Sequence, residues 1–175
     1  MAVGALSILP YRDELAGAFY DINAAWIGAM FVLEPHDEEV LADPRAWIVD
    51  KGGVILFAAT PASAVIGTGA LMPTEPGAWE LTKMGVLAEA RGTGAGAQLL
   101  DALIERARGL PGIDTLYLLT SRKCEAAIHL YEKAGFAHDA EVMARFGGSY
   151  DRCDVAMRFP LDGPTPHAIA AGFRV

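Results

Sequence analysis

Cysteine is nearly absent: Cys124 and Cys153 are the two in 175 residues. Two isolated thiols build neither a disulfide framework nor a metal cluster, so no metal is expected and an apolar core must hold the chain together. Also missing is any apolar run near the roughly 20 residues of a membrane-spanning helix. The opening stretch, Met1 to Pro10, lacks a basic segment and runs straight into Arg12, Asp13 and Glu14, unlike a secretory leader. A cytoplasmic protein with no membrane attachment is expected. Positive charge is scarce as well, with 14 Lys and Arg against 22 Asp and Glu and a formal net charge of -8. Nucleic-acid binding draws on clustered Lys and Arg, which excludes that partner, whereas an acidic surface suits cationic or amine partners.

What is present is apolar surface to bury: 53% of residues are hydrophobic and 21% charged. That length and content suit one sizeable core rather than two. A short strand is expected over Val3 to Leu9. Helical spacing extends from Tyr11 to Ala29, through Leu15, Phe19, Ile22 and Trp26, and Asp37 is placed to cap a short helix through Leu41. Three β-rich runs come next: Val54 to Ala59, Ala64 to Met72 and Trp79 to Val86. Their short turns imply an antiparallel meander, since parallel neighbours need a crossover of a dozen or more residues. After a glycine-rich segment, Ala97, Leu100, Leu103, Ile104 and Ala107 repeat with helical period. Asp114 to Leu119 reads as a strand parallel to the one before, and Glu125 to Ala134 as a helix closed by Gly135. Phe136 to Phe146 and Asp151 to Phe159 read as a terminal antiparallel pair turning at Gly147, Gly148 and Ser149. The Gly-, Pro- and Ala-rich tail from Asp162 is expected to be loosely ordered.

The chain is organised around Glu80 to Gln98, where a half-polar strand passes through Arg91, Gly92, Thr93, Gly94, Ala95 and Gly96 into a helix. The first amides of a helix lack intrahelical acceptors and carry partial positive charge, so this turn can hold phosphate on bare backbone. Glycine lets the ligand approach the amides. A nucleotide-triphosphate loop would need Lys and Ser or Thr after its last glycine, but Ala97 and Gln98 come after Gly96. A dinucleotide fingerprint fits Gly92, Gly94 and Ala97, with Asp114 about 20 residues beyond. That acid, however, precedes its strand instead of ending it, which makes this the less favoured reading.

Arg91-x-x-Gly94-x-Gly96 also satisfies a pattern of Arg or Gln, x-x-Gly, x and Gly or Ala. With the upstream run Glu80-Leu-Thr-Lys-Met-Gly-Val86 and the downstream Ala127-Ile-His-Leu-Tyr131-Glu-Lys-Ala-Gly135-Phe136, the chain resembles the GNAT superfamily of acetyl-CoA-dependent N-acetyltransferases. Arg152 to Met157 resembles a last strand common in bacterial members. The resemblance implies an α/β (α+β) fold: a mixed, mostly antiparallel sheet of six to seven strands, about four flanking helices and a splayed parallel pair. It implies one acetyltransferase domain over residues 1–161 that moves the acetyl group of acetyl-CoA to a primary amine of a small molecule or protein, as monomer or homodimer. A non-catalytic acyl-CoA-binding module is the alternative.

By the same resemblance, Val86, Leu87, Arg91, Gly92, Thr93, Gly94, Ala95 and Gly96 would bind the coenzyme, the loop amides taking its pyrophosphate and Leu87 its pantetheine. Ser121 stands where members often carry Asn, and Lys123 beside Arg122 would meet the adenosine 3'-phosphate. Tyr131 would be the general acid toward the departing thiolate, and Glu80 the general base. A glutamate buried in an apolar cleft has its pKa raised toward neutrality, which suits that role. On the acceptor side, Trp26, Phe31 and Glu34, with His36 and Asp37 nearby, would wall the substrate cleft.

Overall fold

A computed structural model describes residues 4–162. The elements run in the order β1 (Ser7–Pro10), α1 (Ala16–Met30), α2 (Pro35–Ala42), β2 (Val54–Ala59), β3 (Val65–Glu75), β4 (Ala78–Val86), α3 (Ala95–Arg108), β5 (Thr115–Thr120), α4 (Glu125–Ala134), β6 (Ala137–His138), α5 (Ala140–Phe146) and β7 (Val155–Phe159). They form one seven-stranded sheet in the order β1-β2-β3-β4-β5-β7-β6. The pairing of β4 with β5 is parallel and every other neighbour is antiparallel. The mixed sheet and meander expected from the sequence are therefore present.

Both faces of the sheet are covered, which is why β2 reads as an unbroken apolar run rather than an alternating one. Leu56 and Ala58 join Leu99, Leu100, Leu103 and Ile104 of α3 in one core, while Ile55 and Phe57 join Phe19, Val40, Leu41 and Ile48 in another. α3 is thus anchored by one apolar stripe, and its N-terminus is held at the end of β4.

Two irregularities make room for a site. The parallel ladder of β4 and β5 runs only through Ala78↔Thr115, Trp79↔Leu116 and Glu80↔Tyr117. Beyond Glu80, β4 pairs only with β3 while β5 stays with β7, so the strands part and leave a wedge. The second irregularity is a bulge: Ala70↔Thr82 is succeeded by Thr68↔Gly85, so three residues of β4 answer two of β3. The extra residue is Lys83, in the left-handed region at φ 51. A bulge reverses the facing of the residues beyond it. Met84 and Val86 therefore pack with Leu81 on the α3 core, and Lys83 joins Glu80 and Thr82 on the opposite face.

Several expected boundaries need correction. Residues 136–146 are a two-residue strand and then α5, because Asp139 caps the helix by accepting the Val142 N–H at 2.9 Å. Val142 and Phe146 are buried, and a four-residue spacing suits a helical face as well as a strand face, so apolar pattern alone could not separate the two. β6 still pairs antiparallel with β7 at Ala137↔Arg158 and His138↔Met157. β7 starts at Val155, which leaves Arg152 and Cys153 in the preceding loop. The cap of α2 is Glu34, and Asp37 reaches back to its N–H as the other half of a capping box. A π-helical turn, Arg45–Val49, follows α2. β3 runs on to Glu75 past the expected turn at Pro73, and β1 begins at Ser7. The tail after Asp162, and Val3 at the expected start of β1, lie outside the described residues.

Candidate functional site

A cavity of about 540 Å³ fills the wedge between β4 and β5. At one end is the glycine loop. Gly92 and Gly94 have φ of 76° and 89°, and a Cβ at either would touch nothing within 4 Å, so backbone conformation rather than crowding calls for glycine. The first intrahelical bond of α3 is Gln98 N–H to the Gly94 carbonyl at 3.1 Å, and no side chain caps the amides ahead of it. Arg91, Gly92, Gly94 and Gly96 line the cavity, as do Val86, Ser121 and Lys123.

Other residues of the expected coenzyme set are occupied elsewhere. Leu87 gives its N–H to the Ile66 carbonyl at 2.8 Å, and its own carbonyl accepts the Ala90 N–H at 2.9 Å. Thr93 Oγ1 donates to the Ala90 carbonyl, tightening the turn, and Ala95 is buried in the α3 core. Arg122 and Lys123 part company: Arg122 faces a separate surface hollow, while the exposed Lys123 borders the cavity with Nζ 5.6 Å from the Phe31 ring centroid. Ser121 Oγ accepts the Lys123 N–H at 3.3 Å.

α1 closes the other side with Trp26 and Phe31. Gly85 is what admits Trp26, because a Cβ there would lie 2.5 Å from Trp26 Cδ1. Trp26 Nε1 donates to Asn23 Oδ1 at 3.0 Å, and Asn23 in turn donates to the Phe19 carbonyl at 2.9 Å, which fixes the indole. Tyr131 is buried on α4 with its ring edge-on to Phe136 at 5.9 Å, and it lines the cavity. Burial raises its pKa, so the hydroxyl holds its proton through the neutral range.

Glu80 is 6% exposed. Burial pushes its carboxyl up to about 7, against the opposing pull of Lys83, Thr82 and Arg152. Behind it lies a charge network that the sequence did not announce. Lys83 Nζ donates to Asp37 Oδ1 at 2.7 Å and to the Tyr150 hydroxyl at 3.2 Å. Arg152 grips Asp37 at both oxygens, 2.6 and 2.9 Å, and reaches Glu34 Oε2 at 2.9 Å. Burial alone would raise the Asp37 pKa, but the hydrogen bonds from Arg152 and Lys83 outweigh it and hold the carboxyl at about 2. Glu34 stands behind Arg152 rather than on the cavity wall, whereas Lys83, Tyr150, Arg152 and Cys153 do line it. Burial pushes the Cys153 thiol up to about 12, which keeps it protonated. Of these missed residues, Lys83 carried one legible signal: a lysine inside an otherwise half-buried strand, three residues from Glu80.

Among the described residues, no group of His, Cys, Asp or Glu is arranged to hold a metal, and no helix is long and apolar enough to cross a membrane.

Similarity to known proteins bears on the same architecture. No curated protein sequence matches the chain. Among solved structures, an acetyltransferase of the GNAT family from Staphylococcus aureus superposes with a TM-score of 0.79 at 21% identity, over 90% of this chain and 99% of that one. A proposed acetyltransferase from Salmonella typhimurium, with its cofactor acetyl-CoA, gives 0.68 at 21%, over 92% and 96%. The spermidine N-acetyltransferase of Vibrio cholerae, in complex with CoA and spermine, gives 0.60 at 16%, over 77% and 82%. The model of the acetyltransferase (GNAT) family matches residues 10–136, which span the meander, the glycine loop and the helix of Tyr131, and the chain belongs to that family.

Proposed function

We propose that the protein, acting through a single domain over residues 1–161, moves the acetyl group of acetyl-CoA to a primary amine. The observation that carries this reading is the wedge itself. It brings an uncapped helix start, a buried carboxyl and a buried phenol onto one cavity. The coenzyme fits the residues present: left-handed glycines leave open space beside free amides, and the cavity has the volume of a small-molecule site. When bound, acetyl-CoA supplies an acyl group activated as a thioester.

The amides of Gly92 to Gly96 hold the pyrophosphate, Val86 lies beside the pantetheine arm, and Ser121 and Lys123 flank it. Trp26 and Phe31 screen the reacting end from water. Glu80, poised near neutrality, takes a proton from the acceptor nitrogen as the new C–N bond forms. Tyr131 Oη gives its proton to the sulfur as the C–S bond breaks, so one proton is taken up and one released on opposite sides of the transfer. Acetyl-CoA and spermine are named with structural neighbours, which supports a small-molecule amine as acceptor.

Purified protein incubated with acetyl-CoA and a panel of amines should release free thiol in step with acetylated product. Binding of acetyl-CoA without turnover on any amine would instead identify a non-catalytic acyl-CoA module. Tyr131→Phe should lower kcat by about 10²-fold, within the usual range for a general acid, with acetyl-CoA affinity unchanged. An unaltered kcat at all pH values would remove Tyr131 from that role.

A further inference from the structure

The bulge in β4 places a lysine, not a glycine, in the left-handed region, a strained backbone that persists only where the surroundings demand it. Its result is a cation on the same face as Glu80. Lys83 and Arg152, with side chains 2% and 12% exposed, both line the cavity there. Asp37 is the one fully buried carboxylate they share, and Glu34, 23% exposed, reaches Arg152 from behind. The other partner of Lys83 is the neutral Tyr150 hydroxyl. A lysine has three donors and an arginine five, so these bonds leave donors to spend in the wall beside the base. Asp37 and Glu34 match the two cations in number, so what the wall offers is unused N–H donors rather than net positive charge.

Such a wall discriminates. A second ammonium, as on a polyamine, offers these donors no acceptor. A carboxylate beside the reacting amine would instead receive charge-assisted hydrogen bonds. Resting on the acetyl-transfer reading above, we propose that the acceptor is an amino acid or a similarly small amine with a carboxylate next to its reacting nitrogen, and that Lys83 and Arg152 receive that carboxylate. Glu80 then faces the amine, and Trp26 and Phe31 take an apolar side chain.

The test uses matched pairs that differ only in the carboxylate: L-phenylalanine against 2-phenylethylamine, L-tryptophan against tryptamine, and L-lysine against cadaverine, with spermidine alongside. At least one amino acid should exceed its decarboxylated partner by tenfold or more in kcat/KM. Calorimetric titration into protein saturated with CoA should show the same order of binding, independently of turnover. Lys83→Met and Arg152→Gln should each reduce that preference by tenfold or more by raising KM for the amino acid. Should either variant fail to fold, the wild-type pairs decide alone. Equal or better use of the decarboxylated amines, or of spermidine, overturns this inference and leaves acetyl transfer standing. Acetyl-CoA binding with no turnover on either series refutes the acetyl-transfer reading, and the inference with it.

Discussion

Replacing Glu80 by Gln removes one ionisation from the interior while keeping the shape of the side chain. In the unfolded chain the carboxyl titrates at its ordinary 4.5, and in the folded protein burial lifts it to about 7. Below pH 4.5 both states hold the proton and this contribution is constant. Between 4.5 and about 7 the folded state binds a proton that the unfolded state has lost, so stability falls as pH rises, by about 1.4 kcal/mol per pH unit. Above pH 7 the loss is complete at about 3 kcal/mol, the penalty for a charge buried with incomplete compensation. The variant escapes it. Urea unfolding of both proteins from about pH 4.5 to about 8.5 should therefore show the variant gaining about 3 kcal/mol on the wild type up to about pH 7, and nothing beyond. Other titrating groups cancel in the difference. The acidic limb of wild-type kcat/KM should fall at the same pH and be absent from the variant's residual rate. A stability difference that stays flat across the range would show that Glu80 is not held near neutrality, and its role as base would lose its physical support.

Asp37→Asn leaves Lys83 and Arg152 buried around a neutral amide and should cost about 3–5 kcal/mol by chemical denaturation, as breaking a buried ion pair does. In the wild type the Asp37 contribution should disappear on acidification, as pH drops from 3.8 through about 2, because a depressed carboxyl stabilises only while ionised. Gly94→Ala forces a Cβ into φ 89° and should cost about 1–2 kcal/mol in stability. It should also weaken acetyl-CoA binding in calorimetry, whereas Gly17→Ala, on the helix α1 with nothing within 4 Å of the added methyl, should leave affinity unchanged.

Much of the fold was legible because its determinants are local. β2, the start of α3 and the whole of α4 come from apolar period, a glycine segment and the closing Gly135, each acting over a few residues. The α5 segment was misread because a buried pair four residues apart satisfies both periods, and the deciding bond is a single cap from Asp139. The loop glycines, Glu80 and Tyr131 were visible for a related reason: each belongs to a short motif whose residues lie close in sequence. Lys83, Tyr150 and Arg152 were not, since their bonds span large separations, as from Lys83 to Asp37 and from Arg152 to Glu34.

By itself, then, the sequence determined the periodicities of the strands and helices, the conformational demand at Gly92 and Gly94, and the family's motif order. Only the tertiary structure decided where the parallel ladder stops and which way Lys83 faces. The first depends on how β5 is drawn toward β7, and the second on a one-residue bulge that reverses the alternation a regular strand would keep. It also decided how far Glu80 is desolvated, because burial is set by everything that packs around a carboxyl and not by its neighbours in the chain.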